Sequence, residues 1–522
     1  MTTAQPARRA VVLCSSDVPG AQQLLVHACE DCACPVSEGD RASVLAALPP
    51  ASTEGTDRWI RGREVIEMSL DDEYRLLFNP AGHGGVVVVN HAAQQIVRCL
   101  DHPVTWEEVR VAAPVPASDA DQVLNRLHQL EVIHRAGQAQ RPLFHDSQLL
   151  TAWLHVTNAC NLRCPYCYLH KTAESMDEQT GRRAVEAVIE SAVRNRFPAV
   201  KFKYAGGEAS LNHRLMMSLH AHGRALADAK GLRLQATLLS NGVTLPRQLI
   251  RSLKAEVIKV MISLDGVGGP HDAQRPSVNG RPSFHLVDRT ITALIEEDWA
   301  PHLSITITRR NAEGVPDVVR FALERGLTFS LNFFRDNDCA TRFPDLRYEE
   351  EAMTSAVLAA FKVIEEFLPP WSVLGSVLDR GQLLEPRRRS CGVGQDYVVI
   401  DQRGRVAKCH MEIERTLGDV FRDDPLQLIR RDTAAVQNLP VEEKEGCRDC
   451  SWRYWCSGGC SVAAFRATGR YDVKSPNCNI YKAMYPEALR LEGLRLLKYA
   501  LPAPQVGHDG PGRRRGIGEG NN

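Results

Sequence analysis

Cys160-Asn161-Leu162-Arg163-Cys164-Pro165-Tyr166-Cys167-Tyr168 comes just after residues 150–156, an apolar run of strand character. Three thiols stand on one short loop, at offsets of four and three. Thiolates so placed can ligate three irons of a cubane cluster and leave the fourth iron without a protein ligand. That open iron is where chemistry would occur. A redox disulfide uses a Cys-x-x-Cys pair and a zinc ribbon uses two such pairs; the offsets here suit neither, so the plain alternatives are a chance grouping or a partial zinc site.

Downstream of the loop, strand patterns alternate with helical ones. Strands are expected over 150–156, 199–204, 235–240, 257–263, 302–308 and 328–334. Six strand–helix units of this spacing predict an α/β fold, a partial (β/α)6 TIM-type barrel that is parallel and open and carries its functional groups at the carboxyl ends of the strands. The cysteine loop follows the first strand. After the second comes Gly206-Gly207-Glu208, with glycines that let backbone approach a ligand closely. Ser263 closes the fourth strand in Ile262-Ser263-Leu264-Asp265-Gly266, and Arg275 stands twelve residues on.

A second set of cysteines lies further along: Cys391, then Gly404 and Cys409, then Cys447, Cys450, Cys456 and Cys460, then Cys478. Its core, taken alone, could pass for a zinc knuckle, because tetrahedral sulfur sites use similar spacings.

The loop 160–168 resembles the signature of the radical S-adenosylmethionine enzymes, three cysteines with an aromatic residue just before the last. The resemblance implies a catalytic [4Fe-4S] cluster on Cys160, Cys164 and Cys167, fed by a flavodoxin- or ferredoxin-type electron donor. Its open iron chelates S-adenosyl-L-methionine and passes an electron into the sulfonium, giving a 5′-deoxyadenosyl radical that abstracts hydrogen. It also implies Tyr166 near the adenine, Gly206, Gly207 and Glu208 at the methionine amino group, and Ser263 and Arg275 at the ribose and the carboxylate. The family usually has proline where this chain has Ala209.

The second set resembles the SPASM extension, which holds two auxiliary [4Fe-4S] clusters in radical enzymes that act on peptides. By that resemblance Cys447, Cys450, Cys456 and Cys478 hold the outer cluster, and Cys391, Cys409 and Cys460 the inner one. Members with a fully ligated inner cluster have one more cysteine shortly before the first, and Glu385-Pro386-Arg387-Arg388-Arg389-Ser390 supplies none. An open iron there is expected, with Cys339 or Glu385 as other possible ligands. Zinc in place of iron is the alternative for this block.

Ahead of the barrel, Tyr74-Arg75-Leu76-Leu77-Phe78-Asn79-Pro80 and Gly85-Val86-Val87-Val88-Val89-Asn90 read as a hairpin. Three helical patterns follow, one after Asn90, one opened by the cap-like Thr105, and one from Ser118. This order resembles the winged-helix-like PqqD-type element that recognises leader peptides, which would hold its peptide by strand addition. A DNA-reading wing or a structural cap is the alternative, and no basic helix face supports the DNA version. Residues 1–63 are a region of unknown role: Ala10-Val11-Val12-Leu13-Cys14 has strand character, and Cys29, Cys32 and Cys34 invite a metal site that Cys14 or His27 could complete. The expected organisation is 1–63, the peptide-recognition domain 64–140, the barrel 148–345, a helical bridge 346–385, the auxiliary-cluster domain 386–485, and a helix and disordered tail 486–522 with Arg513-Arg514-Arg515.

The 522 residues carry 63 basic and 63 acidic side chains, so no overall field favours nucleic acid or an anionic membrane. No apolar run approaches the roughly 20 residues that span a bilayer, and the amino terminus lacks a signal-peptide pattern. A cytoplasmic enzyme is expected, in a compartment that keeps its 16 cysteines reduced. Together these readings predict a radical S-adenosylmethionine oxidoreductase acting on a precursor peptide with a leader, forming a thioether or carbon–carbon crosslink. Two other functions compete. One is oxidation of cysteine or serine to formylglycine, as in the sulfatase maturases, where an acidic base directly follows the second inner-cluster cysteine; here His410 follows Cys409. The other is a cluster- or zinc-binding regulator that reads DNA. Nothing in the sequence singles out a general base.

Overall fold

A computed structural model describes residues 9–19, 56–144 and 147–501. His27, Cys29, Cys32, Cys34 and the arginine triplet at 513–515 lie outside the described residues.

Fifteen strands are described: β1 (Val12–Cys14), β2 (Trp59–Arg61), β3 (Ile66–Ser69), β4 (Tyr74–Phe78), β5 (Val86–Asn90), β6 (Ile133–Arg135), β7 (Leu149–Thr157), β8 (Ala199–Gly206), β9 (Arg233–Ser240), β10 (Ile258–Ser263), β11 (His302–Ile307), β12 (Phe329–Phe333), β13 (Tyr397–Ile400), β14 (Arg405–Ala407) and β15 (Thr416–Asp419). The six expected strands of the central region are β7 to β12, each within two residues of its expected bounds. They run in the order β12-β11-β10-β9-β8-β7, all parallel. Leu150, Ala152, Leu154 and Val156 of β7 are fully buried on one face, while Thr151 and Trp153 are buried on the other. Such continuous burial is what a parallel sheet covered on both faces requires.

Helices cross over between these strands. Glu178–Arg194 joins β7 to β8; Asp177 caps it by accepting from the Thr180 N–H at 2.7 Å, and Ala184, Val185, Val188 and Ala192 form its buried stripe. His213–Ala229, Arg247–Ala255, Phe284–Glu296 and Val315–Glu324 repeat the plan. Crossovers between parallel strands bring the carboxyl ends of all six strands to one rim.

The sheet does not stop at β7. β13 pairs with it in parallel, Tyr397 opposite Thr151 through Ile400 opposite Leu154, and β14 and β15 extend the sheet antiparallel to nine strands. The chain between Cys391 and Cys409 is therefore built onto the barrel sheet. Gly404, at φ +79°, turns β13 into β14 and donates its N–H to the Asp401 carbonyl at 3.0 Å, which accounts for glycine in the Gly404-to-Cys409 spacing without any ligand role.

The hairpin β4–β5 belongs to a four-stranded sheet ordered β1-β5-β4-β3. Helices His91–Cys99, Trp106–Ala112 and Ala117–Gln129 follow. Thr105 forms a reciprocal cap with Glu108, whose carboxylate accepts the Thr105 N–H at 2.7 Å. The hairpin rests on the C-terminal cysteine region: Phe78 stacks on Trp452 and meets Trp455 edge-on at 4.8 Å, and the Trp455 indole donates to the Pro80 carbonyl at 2.9 Å. The long helix Cys478–Ala500 passes beneath, with Gly493 against Leu70 and Leu76.

Candidate active site at the strand ends

The loop bearing Cys160, Cys164 and Cys167 leaves the carboxyl end of β7 and is held from several sides. Arg163 donates its backbone N–H to Pro276 O at 2.8 Å, and the Val278 N–H donates to Asn161 O at 3.1 Å. Lys171 reaches back so that its Nζ donates to Leu162 O at 3.1 Å. The three thiols are unpaired. Burial pushes the Cys160 thiol up and the Cys164 thiol up to about 11, against the pull of Lys171 on both and of Arg275 on Cys164. Metal coordination takes the place of the proton on such thiols.

Gly206 and Gly207 cross the base of this loop. A Cβ on Gly207 would lie 2.4 Å from Ala159 O, and one on Gly206 2.4 Å from Thr157 O, so only glycine lets the end of β8 pair with the start of the loop. The N–H groups of Gly207 and Glu208 donate to Thr157 O and Ala159 O, each at 2.8 Å. Glu208 is buried, and its carboxylate accepts from Ser210 N, Ser240 Oγ and Asn241 N at 3.0, 2.8 and 2.6 Å. Burial raises its pKa, and these donors restrain the rise. Asn241, fixed in this way, donates to Asn161 Oδ1 at 2.7 Å and lies 3.9 Å from Cys160 Sγ. Glu208 thus positions the cysteine loop through Asn241.

On the far side, Asp265 is the hub. Its carboxylate accepts from Arg275 Nε at 2.7 Å, Arg275 Nη2 at 3.2 Å, the Tyr166 hydroxyl at 2.5 Å and Thr306 N at 2.9 Å. The Arg275 guanidinium lies 5.4 Å from the Tyr166 ring centre. Arg275, expected as a ligand for a carboxylate, is thus held by a protein carboxylate two residues beyond Ser263. Ser263 ends β10 beside Ser304 of β11. Backbone glycines, three thiols, an arginine and a phenol are therefore gathered at one rim of a parallel sheet.

Residues 154–322 match the sequence profile of the Radical SAM superfamily. This stretch is a radical SAM domain. The PqqA peptide cyclase of Xanthomonas oryzae pv. oryzae is 25% identical over 384 residues, 70% of this chain and 95% of that one. The cysteine-type anaerobic sulfatase-maturating enzyme of Clostridium perfringens is 22% identical over 66% of this chain and 96% of its own length. A solved structure described as native anSMEcpe with bound AdoMet and Cp18Cys peptide shares the fold, with a TM-score of 0.56 at 19% identity over 67% of this chain and 99% of that one.

Beyond the radical SAM domain, Cys391, Cys409 and Cys460 line one cavity with Arg380, Tyr397 and His410. Burial pushes the Cys409 thiol up to about 12. Burial also pushes Cys460 up, but Arg335 and Arg380 outweigh it and hold that thiol below the usual value. Arg380 is buried, and its Nε has no partner among the described residues. His410 stacks on Trp153 of β7 with ring centres 4.5 Å apart, and its Nδ1 lies 2.9 Å from the Tyr397 hydroxyl; burial lowers its pKa well below the usual imidazole value, and Arg380 and Arg335 push the same way. Cys447, Cys450, Cys456 and Cys478 form a second group. The Cys447 thiol is pushed up to about 12, by burial first and then by Cys456, with Cys478 and Cys450 acting the same way; Lys444, itself buried, opposes the shift.

Among the described residues, no three His, Cys, Asp or Glu side chains meet at the spacing of a single metal ion. A cubane cluster spreads its thiolates over separate irons, and both donor sets have the soft chemistry such clusters need.

Cys339, an expected alternative for the inner set, lies elsewhere. Its Sγ is 3.5 Å from His170 Nε2, and it shares a cavity with Cys164 and Cys167. Asp265, Asn241, Lys171, Arg335 and Arg380 were not singled out from sequence. Only Asp265 carried a signal there, as an acid at a strand end.

Proposed function

We propose that this protein is a peptide maturase that abstracts hydrogen from a ribosomally made precursor peptide and closes an intrapeptide thioether or carbon–carbon crosslink. The observation that carries this reading is the presence of two further cysteine sets beyond the radical SAM domain, one of them joined to β7 through the stack of His410 on Trp153. Peptide cyclisation is what the name of the Xanthomonas relative describes.

In this reading Cys160, Cys164 and Cys167 hold a [4Fe-4S] cluster, and Tyr166, Gly206, Gly207, Glu208, Ser263 and Arg275 surround S-adenosylmethionine. Once both are bound, they supply a carbon radical strong enough to take hydrogen from an unactivated carbon. The protein aims that chemistry. Glu208 and Asn241 fix the cysteine loop, Asp265 fixes Tyr166 and Arg275, and the Gly206-Gly207 backbone brings the methionine end close. Cys391, Cys409 and Cys460 hold an inner auxiliary cluster and Cys447, Cys450, Cys456 and Cys478 an outer one. Three thiolates on the inner set leave one coordination position for a substrate thiolate, which would hold a cysteine sulfur ready for bond formation. Residues 64–140 act as the PqqD-like holder of the leader.

Replacing Cys160, Cys164 and Cys167 together with alanine should abolish 5′-deoxyadenosine release under dithionite while iron stays on the other seven cysteines. Continued release in the triple variant would overturn the assignment of the loop.

A further inference from the structure

The peptide-recognition sheet is not open on both sides. β1, from far upstream in the chain, pairs antiparallel with the outer edge of β5, Val12 opposite Val89, Leu13 opposite Val88 and Cys14 opposite Val87. Side chains clamp this short segment at both ends, and between them the Ser15 hydroxyl donates to Glu492 of the long helix at 3.4 Å. At one end Asn90 donates its Nδ2 to Arg9 O at 3.0 Å and accepts the Val11 N–H on Oδ1 at 3.0 Å. At the other, Arg126 on the helix Ala117–Gln129 pairs with Asp17 at 2.7 Å and reaches Ser16 Oγ and Cys14 Sγ at 3.2 and 3.0 Å.

The strand's faces part in the manner of any β-strand. Leu13 packs into the main core, while Cys14 and its neighbour Val12 pack into the core of the N-terminal domain. Among the described residues the opposite sheet edge, β3, has no such clamps: Glu67 there is already tied to Arg61 and Gln94.

Three paired residues, a clamp that reads backbone and a cation that reads a carboxylate make up the apparatus for binding an extended peptide by strand addition. We propose that residues 9–18 of this chain occupy the β5 edge as a built-in competitor of the peptide that the maturase reading has this domain hold by strand addition. The partner it fits is an extended peptide with an apolar side chain at the place of Leu13 and an acidic residue four positions later, at the place of Asp17. That the displacing strand is a substrate peptide rests on the maturase reading; the exchange itself does not.

An attached strand competes at an effective concentration of order millimolar. Against an intrinsic affinity in the range of about 10 μM, this masks the site about 100-fold. The probe is a fluorescein-labelled synthetic peptide of residues 9–18, titrated by anisotropy against the full chain, a chain lacking residues 1–19, and full-length Leu13→Asp. The truncated chain and Leu13→Asp should bind the probe, and the unaltered chain about 100-fold more weakly. Adding Arg126→Met to the truncated chain should weaken binding at least about tenfold.

Equal binding by all three proteins, or none by the two released forms while their circular dichroism stays that of the parent, would overturn the proposal. Loss of the folded signal in both released forms would also overturn it, by showing β1 to be a fixed part of the domain. None of these readings depends on turnover, so failure of the maturase assignment and failure of strand exchange are seen separately.

Discussion

Asp265 shows how much a single side chain governs at the rim. It answers the buried charge of Arg275 and takes the Tyr166 hydroxyl, joining the cysteine loop to β10 and β11. Removing one partner of a buried ion pair leaves an uncompensated charge and costs about 3–5 kcal/mol, whereas replacing both with apolar residues can be nearly neutral. Asp265→Ala should therefore lower the thermal midpoint sharply, and Asp265→Leu with Arg275→Met should recover much of the loss; equal losses in the single and double variants would show that the pair is not the cause. Sequence made the thiols and glycines legible because their chemistry admits few other uses. The partnership of Asp265 with Arg275 was not legible, since no periodicity links an acid after a strand to an arginine at the end of the next short helix.

Among the elements, β7 to β12 could be read because each is a short apolar run bounded by turn residues and followed by a helical stripe. β13 could not. Tyr397-Val398-Val399-Ile400 looks like one more buried run among cysteines, and its partner β7 lies far upstream. At its start Asp396 is buried, and burial lifts its carboxyl from 3.8 to about 7, against the pull of Ser147 and Arg430. A raised carboxyl pKa means that the native state holds the proton more tightly than the unfolded chain. The stability it contributes is therefore complete below about pH 4 and is lost as the pH rises through about 7. Asp396→Asn, a mimic of the protonated form, should flatten this fall. Its advantage over the parent should grow from near zero at pH 4 to roughly 1–4 kcal/mol at pH 8, at about 1.4 kcal/mol per pKa unit. Thermal midpoints across that range measure it, and an unchanged slope would exclude Asp396 as the source.

Across the whole molecule, the hairpin domain is seated on the cysteine region by Phe78, Trp452 and Trp455. Trp455 is fully buried, and truncating a buried tryptophan costs about 3–5 kcal/mol. Trp455→Ala should loosen this seat and speed proteolysis between residues 136 and 144, leaving the barrel intact; a cleavage rate equal to the parent's would mean that other contacts carry the docking. No described helix is long and apolar enough to cross a membrane. Because β13 is stitched to β7, recombination between related chains has a restricted set of crossover points. A chimaera cut between 346 and 396 would ask a foreign Tyr397–Ile400 to find its register on a host Leu149–Thr157. One cut beyond Asp419 inherits the seam whole and exchanges the outer cysteine group together with Cys460 of the inner one, so transplanting specificity among such enzymes is a matter of where the sheet ends.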